Sequence, residues 1–555
     1  MLSNFLLLLF ICILISSFIF TTHSYNNKCL RHQEILLLQL KHELIFDSSL
    51  STKLARWNES GECCKWHGVE CDASGHVVSL QIDGEAIYGG IWESSSLFKI
   101  KYLQKLNLAF NYLDLNYPHV LIPIPKSIGN LTYLTHLNLS HAGFGGQIPS
   151  EILSLTRLAT LDISTGAQGP EKRNMEIPPT LPSLKIPTVA LSLEKPNLEM
   201  LFQNHTELRE LYLDWVIITS IHERKNWSRI KSSYLPNLTS LSLVGCGLHD
   251  PFPKSFWQLH SLSILQLDQN DLSAVSLLDL FTNFPSLTTL TLSSCGLKGS
   301  IPSTFANLTK LTHVDLSYNL FKSSIPSTIA NLTKLIYVDL SYNFLKGHIP
   351  STFANLTKLI HVDLSTNLLT CSLSPAIFEG LCNLVHLHLG FNFFSGYVPR
   401  SLFGLPSLVG LQLGSNQFNG TFQLDNLRSL PNLTFLDLST FLVDIGNVNS
   451  SSYGGKIPKS IEHCKGLMYM NVGNNMINDT FPCMLSSTLN VLVLHSNRFH
   501  GDLRCHSIWP GLRILDISSN HFSESLESIY FSSWTAMVVP SAERLPQGSS
   551  SNESS

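Results

Sequence analysis

The chain has 555 residues, of which 14% are Asp, Glu, Lys or Arg, and its formal net charge at pH 7 is −4. A charge this small gives no support for a polyelectrolyte partner such as nucleic acid. A globular chain of this length would contain several domains, whereas a repeat array grows by adding coils. The twelve cysteines include Cys12 in the leader, so an odd number remains and at least one thiol is left unpaired.

The first 24 residues have the pattern of a secretory signal peptide. Residues 5–20 form a continuous apolar run, and Thr22 and Ser24 are small residues that fit a cleavage site before Tyr25. An uncleaved signal anchor is the alternative, but this run is short for a membrane span. No later stretch approaches eighteen apolar residues, so no further span is predicted. We expect the protein to enter the secretory pathway, where cysteines can be oxidised.

Residues 25–74 do not follow the repeat pattern that comes after them. A short helix with a broad apolar face is predicted from Ile35, Leu36, Leu38, Leu40 and Leu44. The four cysteines of this segment allow three pairings. We favour two disulfides over a zinc site, because a zinc site needs better spacing and a reducing compartment. The favoured pairs are Cys29–Cys63 and Cys64–Cys71. The segment is interpreted as a cap that shields the core of the first coil from water.

The most regular part of the chain, residues 301–367, contains three near-copies of one unit. Asn319, Asn343 and Asn367 mark the same point in each copy and give a period of 24 residues. This period with L-x-x-L-x-L-x-x-N at its centre is the leucine-rich-repeat signature. The leucines are predicted to fill a narrow core, and the Asn amide to hydrogen-bond backbone groups of neighbouring coils. The fold class is therefore an α/β solenoid with a parallel sheet on its concave side.

Repeats are predicted over residues 75–530, with about eighteen coils if a degenerate one near 184–193 is included. The rhythm breaks twice, between Asn111 and Ala142 and again near 441–455. The second break is rich in Gly, Ser and Asn and predicts a loop. Such a loop could shape a binding face, but we favour a tolerated surface loop because long loops cost little stability. Residues 531–555 are predicted to be a disordered, low-complexity tail.

Cysteine spacing within the repeats predicts two more disulfides and three thiols without a partner. The predicted pairs are Cys371–Cys382 and Cys464–Cys483. Cys246 and Cys295 occupy the Asn position of coils that are two apart, so they are interpreted as buried thiols within the ladder of asparagines. Cys505 has no obvious partner.

Strand positions between the core leucines predict columns of side chains on the concave face, because stacked strands lie about 4.8 Å apart. Aromatic and histidine side chains offer a large contact area with a polar tip, which suits a peptide or protein ligand. The candidate ligand-binding residues are His313, Asp315, Tyr318, Tyr337, Asp339, Tyr342, His361, Asp363, His386 and His388. The alternative is that the Asp positions are ordinary repeat consensus, copied with the unit. No metal is predicted; a site formed by His386, His388 and Asp363 is a minor alternative.

A pH dependence of ligand binding is predicted for this surface. If the columns bind a ligand electrostatically, protonation of their histidines between pH 5 and 7.5 should change the affinity.

Sequons placed just before the strands should carry glycans on the flank or back of the solenoid and leave the concave face open. Asn138 is the exception, since it lies within a strand. The predicted glycosylation sites are Asn58, Asn130, Asn204, Asn226, Asn237, Asn307, Asn331, Asn355 and Asn432.

Catalytic signatures are missing from the sequence. It contains no G-x-S-x-G, no H-E-x-x-H, no G-x-x-x-x-G-K-[ST] and no set of kinase motifs. We therefore predict neither an enzyme nor a bound cofactor.

The cap stretch CCKWHGVEC, the repeats of form LTxLxHLDLSxNxFxGxIPxxxxNL and the stretch DTFPCML together resemble plant leucine-rich-repeat receptor-like proteins. That group includes pathogen-recognising resistance receptors. The resemblance extends from Cys29 to about Trp534 and implies a right-handed superhelix with a second short strand beside the first sheet. The segments that carry this plant-type signature are Gly146–Pro149, Gly299–Pro302, Gly347–Pro350 and Gly455–Pro458.

The resemblance implies an extracellular recognition module that binds a peptide or protein in defence or development and acts through a co-receptor kinase. Its location would be the apoplast, or the outer face of the plasma membrane if a longer form carries an anchor. Such receptors continue with an island, further coils and a transmembrane helix, so we expect a truncated receptor or a secreted form. The alternatives are a secreted inhibitor of a pathogen cell-wall-degrading enzyme, whose relatives have about ten coils, and a non-signalling decoy.

Overall fold

The computed structural model describes residues 28–58, 61–113, 121–166, 191–218, 226–418, 424–440, 455–503, 509–523 and 536. The chain divides into two compact units, Met1–His222 with Ser233–Leu238 (unit 1) and Glu223–Ser232 with Thr239–Ser555 (unit 2). The predicted signal peptide, most of the loop near 441–455 and almost all of the predicted tail lie outside the described residues.

Short helices and very short strands alternate along the described chain. The α-helices are α1 (Arg31–Glu43), α2 (Leu198–Asn204), α3 (Leu277–Asn283) and α4 (Pro375–Glu379). The 3₁₀-helices are Leu54–Arg56, Cys63–Lys65, Ser96–Lys99, Lys126–Asn130, Ser150–Ser154, Asn226–Arg229, Ser232–Tyr234, Lys254–Gln258, Ser303–Asn307, Ser327–Asn331, Ser351–Asn355, Arg400–Gly404, Leu424–Ser429 and Lys459–His463.

The strands of unit 1 are β1 (Ile45–Phe46), β2 (Val69–Cys71), β3 (Val77–Gln81), β4 (Ile87–Gly89), β5 (Lys105–Asn107), β6 (His136–Asn138), β7 (Gly146–Gln147), β8 (Thr160–Asp162), β9 (Leu191–Ser192) and β10 (Glu210–Tyr212). Those of unit 2 are β11 (Ser240–Ser242), β12 (Ile264–Gln266), β13 (Thr289–Thr291), β14 (Lys298–Gly299), β15 (His313–Asp315), β16 (Leu320–Phe321), β17 (Tyr337–Asp339), β18 (Lys346–Gly347), β19 (His361–Asp363), β20 (Leu368–Cys371), β21 (His386–His388), β22 (Phe393–Gly396), β23 (Gly410–Gln412), β24 (Gln417–Phe418), β25 (Phe435–Asp437), β26 (Tyr469–Asn471), β27 (Val491–Val493), β28 (His500–Gly501), β29 (Ile514–Asp516) and β30 (His521–Phe522).

Each unit contains a main parallel sheet with one strand per coil. In unit 1, β3, β5, β6, β8 and β10 pair in that order, and β2 joins β3 antiparallel. In unit 2, twelve strands from β11 to β29 pair in chain order. In the parallel main-sheet strands from β5 to β27 the central residue points into the core, as Val314, Val338 and Val362 do. The alternation leaves the two flanking side chains on the solvent side.

Shorter strands lie beside the main sheet at three of the four plant-type Gly-x-I-P segments: β7, β14 and β18 contain Gly146, Gly299 and Gly347, whereas Gly455–Pro458 is not part of a strand. In unit 2, β18, β20, β22 and β24 form one such sheet, and β14 pairs with β16. Gly299 and Gly347 have φ values of 92° and 80°, which only glycine adopts without strain. The second strand implied by the resemblance is therefore present in these coils.

The regularly spaced asparagines have the predicted mechanical role. The side-chain Nδ2 of Asn319 donates to the carbonyl of Leu292 in the preceding coil at 2.8 Å, and also to two carbonyls of its own coil. Its Oδ1 accepts from the backbone N–H of Leu297, again in the preceding coil, at 2.9 Å. Asn343 and Asn367 repeat this pattern. Each amide thus pairs backbone groups that the stack would otherwise bury without partners.

Cysteine replaces asparagine at two positions of this ladder, Cys246 and Cys295. Cys295 is buried, and its Sγ lies 3.1 Å from the carbonyl oxygen of Leu267 in the preceding coil. Burial raises the pKa of this thiol to about 12, so it remains protonated and can donate. Cys246 is also buried, with its Sγ 3.6 Å from the carbonyl of Val244. The interpretation of these cysteines as buried ladder thiols agrees with the structure.

The two disulfides predicted within the repeats are wrong. Cys371 and Cys382 are both free and exposed, because α4 separates the end of β20 from the segment that enters β21. Cys464 is free and buried at the end of a 3₁₀-helix, with its sulfur 3.7 Å from the carbonyl of Leu430. Cys483 takes part in a disulfide, but its partner lies outside the described residues.

The cap has the favoured disulfide pairs. Cys29 is bonded to Cys63 and Cys64 to Cys71, with Cα–Cα distances of 5.6 and 5.5 Å. The predicted helix is α1, but its buried side is narrower than expected. Leu37 and Leu40 are buried, whereas the predicted core residue Ile35 is 47% exposed.

A buried carboxylate fastens the cap to the first coil. Glu85 is 1% exposed and accepts hydrogen bonds from the hydroxyls of Ser51 and Thr52 and from the backbone N–H groups of Lys53 and Leu54. Burial opposes the charged form of Glu85, but these hydrogen bonds outweigh it and lower the pKa of the carboxyl. Since a carboxylate that accepts several bonds is costly to leave unpaired, the cap and first coil form one structural element.

The degenerate coil predicted near residues 184–193 has no strand of its own in the main sheet. Thr160 of β8 pairs directly with Glu210 of β10, which leaves no place for another strand between them. Leu191 and Ser192 instead form β9, which pairs with β7 beside the main sheet. The alternating leucines of this segment fit both kinds of strand, so the pattern could not distinguish them.

Candidate ligand-binding face

The solvent side of the main sheet in unit 2, called here the sheet face, carries all ten candidate residues. Strand register places eight of them in two columns across β15, β17, β19 and β21, and Tyr318 and Tyr342 stand beyond the strand ends. The first column is His313, Tyr337, His361 and His386, and the second is Asp315, Asp339, Asp363 and His388.

The rings of the first column stack along the sheet. Tyr337 and His361 are nearly parallel, with ring centroids 4.5 Å apart and an interplanar angle of 9°. His313 stacks on the other side of Tyr337 at 6.2 Å, and His386 is tilted at 5.7 Å from His361. Identical strand positions recur at the inter-strand spacing, which is close to the distance that offset-stacked rings prefer. The result is a continuous strip of rings.

A second aromatic pair follows the strands. Tyr318 and Tyr342 stack at 4.1 Å with an interplanar angle of 9°, and Tyr318 is 51% exposed. Each has a positive φ, 53° and 51°, at the turn residue just before a ladder asparagine. Partial burial and the neighbouring Tyr342 raise the pKa of Tyr318, so this phenol stays neutral. Phe391, which is 53% exposed, occupies the same turn position two coils after Tyr342.

The aspartates of the second column have a structural role within their own coils. In each, Oδ1 accepts from the backbone N–H of the serine two residues later, at 2.8–2.9 Å, and the pairs are Asp315–Ser317, Asp339–Ser341 and Asp363–Ser365. Asp437 and Asp516 make the same contact outside the candidate set. This geometry supports the alternative that Asp is repeat consensus, retained because it closes the turn.

Two neighbouring carboxyl groups in this column, Asp339 and Asp363, have pKa values shifted in opposite directions. Burial and the charges of Asp363 and Asp315 raise the pKa of Asp339 well above its usual value. Burial would also raise the pKa of Asp363, but a 3.3 Å hydrogen bond with His388 Nδ1 and the attraction to that ring lower it. Asp339 therefore takes up a proton before Asp363 does.

Three histidines of the sheet face, His313, His361 and His386, have lowered pKa values. Burial, together with His388, lowers the pKa of His361 to about 4. Burial also lowers the pKa values of His313 and His386. These directions argue against protonation of these three histidines as the cause of a pH-dependent affinity between pH 5 and 7.5. Burial raises the pKa values of two carboxyl groups of this face, Asp339 and Asp437.

Beyond Gly410, the same column carries two further rings that were not among the candidates. Phe435 and Tyr469 stack at 4.2 Å and 11°, in the column that contains His386 and Gly410. At Gly410 a Cβ would lie 2.6 Å from His386 Nδ1, so glycine leaves room for that ring. Phe435 and Tyr469 occupy the same strand position in LTFLDLS and LMYMNVG. The sequence pattern could have identified them, had the columns been followed beyond β21.

Glycosylation remains a prediction, but the sequon positions are now defined. Asn307, Asn331 and Asn355 are exposed at the ends of 3₁₀-helices, outside the columns of the sheet face. Asn138 lies in β6, where its Oδ1 accepts from the N–H and hydroxyl of Ser140. A glycan on Asn138 would compete with this turn contact.

Parallel one-strand coils, an asparagine ladder and a disulfide-bonded cap define a leucine-rich-repeat protein. The family model "Leucine rich repeat" matches residues 285–345, 337–392 and 371–418, with a further repeat at 133–155. The model "Leucine rich repeat N-terminal domain" matches residues 31–72, which is the cap. The fold and these matches show that the chain is built of leucine-rich repeats, and the relatives that it matches are plant receptor-like proteins.

Among those relatives, Receptor-like protein 6 of Arabidopsis thaliana is 32% identical over 310 residues, which are 52% of this chain and 28% of that protein. Receptor-like protein Cf-9 of Solanum pimpinellifolium is 30% identical over 303 residues, covering 52% of this chain and 31% of that protein. The matched part therefore spans less than a third of the length of these relatives.

Solved plant ectodomains share the fold. The PEPR1–AtPEP1 structure has a TM-score of 0.57 and 26% identity, and the match covers 89% of this chain and 62% of that one. The Arabidopsis receptor kinase HAESA, in complex with the peptide hormone IDA and the co-receptor SERK1, has a TM-score of 0.54 and 24% identity, with coverage of 89% and 90%. These likenesses show that the chain has the fold of such ectodomains.

Two further observations concern location. The receptor-like relatives and the cap disulfides indicate a secretory or extracellular location, since structural disulfides persist in oxidising compartments. Among the described residues, no helix combines the length and apolar character that a membrane span requires.

Proposed function

We propose that the sheet face of unit 2 binds an extracellular peptide or protein, and that the chain is the recognition part of a receptor-like protein in plant defence or development. The observation that carries this proposal is the strip of stacked rings on the sheet face, with Tyr337 against His361 and Tyr318 against Tyr342. A site built on strands holds its side chains in fixed positions, so little ordering entropy is lost on binding.

The chemistry of the strip suits a peptide backbone and its apolar side chains. Tyrosine and neutral imidazole each present an apolar ring and a polar tip. Aromatic residues such as tyrosine are enriched where proteins bind one another. Rigid rings carry large contact area with few rotatable bonds, and such residues dominate binding energy in protein interfaces. The low pKa of His361 keeps its imidazole neutral, so the strip does not require an anionic ligand.

The proposed partners follow from the relatives and from the sequence. HAESA binds a peptide hormone and the co-receptor SERK1 on the same kind of scaffold. By analogy with that complex, we propose that the protein acts through a co-receptor kinase in the apoplast or at the outer face of the plasma membrane. The five main-sheet strands described in unit 1 and twelve in unit 2 exceed the coil number expected of an enzyme inhibitor.

Selection of random dodecapeptides displayed on phage against the purified chain tests this proposal. We expect selected peptides to bind Tyr337→Ala at least about tenfold more weakly than wild type, because loss of one central aromatic contact costs about 1.4 kcal/mol or more. Tyr397→Ala is the matched control, since Tyr397 is 72% exposed just after β22, away from the main sheet. Dissociation constants would be measured by biolayer interferometry.

Two outcomes would contradict the proposal. One is a selection that yields no binding peptide. The other is a set of peptides whose affinity falls equally, or only, in Tyr397→Ala.

A further inference from the structure

Three side chains of the sheet face converge at its centre. His361 and Asp363 lie two residues apart on β19, and His388 lies opposite Asp363 on β21. Potential metal-ligating atoms of the three all lie within 4.8 Å of one another. The Asp363 Oδ2 atom is 3.3 Å from His388 Nδ1, and the rings of His361 and His388 meet edge to face at 5.5 Å.

This arrangement follows from strand geometry. Residues i and i+2 of a strand point to the same side, so His361 and Asp363 both face solvent. The parallel neighbour β21 then places His388 beside Asp363. Two imidazoles and one carboxylate are a ligand set that Zn²⁺ accepts in a tetrahedral site with one position open. Tetrahedral ligand atoms lie roughly 3.3 Å apart at normal Zn–N and Zn–O lengths, so side-chain rotations suffice to close the observed separations.

The convergence is specific to this point of the array. The preceding coils have the same aspartate, but Tyr337 stands where His361 would be needed, and Asp363 takes the place of His388. Within the described ranges, the other cluster of metal-ligating atoms is the cap cysteines, which are held in disulfides. The trio thus differs from the minor alternative considered from sequence, since it contains His361 in place of His386.

The surroundings favour a cation. Asp339 adds a second carboxyl group beside Asp363 in the same column. One oxygen of Asp363 is engaged by Ser365, which holds the carboxylate in position while the other oxygen faces His388.

We propose that His361, Asp363 and His388 bind a zinc ion on the sheet face, with an open coordination position toward solvent. The site is a property of these three side chains and does not depend on the peptide-binding role proposed above. A hydrogen bond between Asp363 and His388 without metal is the competing interpretation, and it predicts no affinity for zinc.

Isothermal titration of the full purified chain with ZnCl₂ at pH 7, in a non-coordinating buffer and without a histidine tag, tests the proposal directly. We expect one zinc ion per chain, bound at least tenfold more weakly by His361→Gln and His388→Gln. His313→Gln is the matched control, because His313 belongs to the same column two strands away. Its zinc affinity should equal that of wild type.

Asp363→Asn separates ligation from folding. Asn138 occupies the equivalent strand position in unit 1 and makes the same turn contact, to Ser140, so an amide at position 363 should preserve the turn to Ser365. We expect unchanged thermal unfolding but weaker zinc binding. Cobalt(II) provides a second readout, since a tetrahedral N₂O site should give visible absorption bands that Asp363→Asn alters.

Three results would overturn the proposal. They are the absence of saturable zinc binding, wild-type zinc affinity in the His361→Gln/His388→Gln double variant, and an equal loss of affinity in His313→Gln. None of these measurements uses a peptide ligand, so failure of the metal site would leave the peptide-binding proposal to its own test.

Discussion

Replacing Asn343 by leucine is expected to lower the free energy of unfolding by about 3–5 kcal/mol, because each buried polar group left without a partner costs about 1–3 kcal/mol. The Asn343 amide donates to the carbonyls of Leu316, Leu340 and Ser341 and accepts from the N–H of Phe321. Leucine has the same branched skeleton of side-chain heavy atoms as asparagine but pairs none of these groups. Two of the four bonds join successive coils, so the loss weakens the stack itself.

Asn343→Cys is the matched control for this prediction. The chain already uses Cys295 at the equivalent position, where the buried thiol lies 3.1 Å from a carbonyl of the preceding coil. We expect the cysteine variant to lose less stability than the leucine variant. Urea denaturation followed by circular dichroism gives both values. A leucine variant as stable as wild type, or less destabilised than the cysteine variant, would contradict the assigned role of the ladder.

Removing the disulfide between Cys29 and Cys63, with both residues changed to alanine, is expected to cost about 3–4 kcal/mol by the loop-entropy relation. The bond joins residues separated by 34 positions and connects the start of α1 to the cysteine-rich end of the cap. Cys64 and Cys71 are separated by only 7 positions. Loss of that second bond should therefore cost less, about 2–3 kcal/mol.

Secreted yield and the midpoint of thermal unfolding measure these differences. Cys382→Ala is the control, because Cys382 is free and exposed and its replacement breaks no bond. If the Cys29→Ala/Cys63→Ala variant unfolded at the same temperature as the Cys382→Ala variant, the cap would not depend on its disulfide.

The sequence predicted the repeating coil because its leucines and asparagines recur with the same period as the coils that they fill and join. Leucines at fixed spacing fill the core, and an asparagine such as Asn319 recurs where each turn buries backbone groups. Strand register follows from the repeat, so the repeat alone was enough to place Tyr337 and His361 in one column. The cap disulfides were also predictable, since four cysteines in a short oxidised segment leave few pairings.

The errors arose where sequence distance does not indicate position around the coil. Cys371 and Cys382 are close in sequence, yet a helix separates them. The segment near Leu191 has the alternation of a main-sheet strand but pairs beside the sheet. Local spacing gives the period of a pattern but does not show which side of the coil a segment occupies.

The candidate site was incomplete for a related reason. Phe435 lies further along the same column as Tyr337, outside the three near-copies. The proposed zinc ligands His388 and Asp363 are 25 positions apart in the sequence. The third proposed ligand, His361, packs edge to face against His388. Register places such residues on neighbouring strands, whereas side-chain orientation within a column comes only from the structure.

Hydroxyl-radical footprinting of the chain with and without a selected peptide tests the central claim, that the sheet face of unit 2 binds the ligand. We predict that the peptide protects Tyr318, Tyr337 and Tyr342 from oxidation while Tyr397, which is 72% exposed, reacts as in the free chain. Protection of Tyr397 with no change at Tyr337 and Tyr342 would place the binding surface elsewhere and contradict this claim.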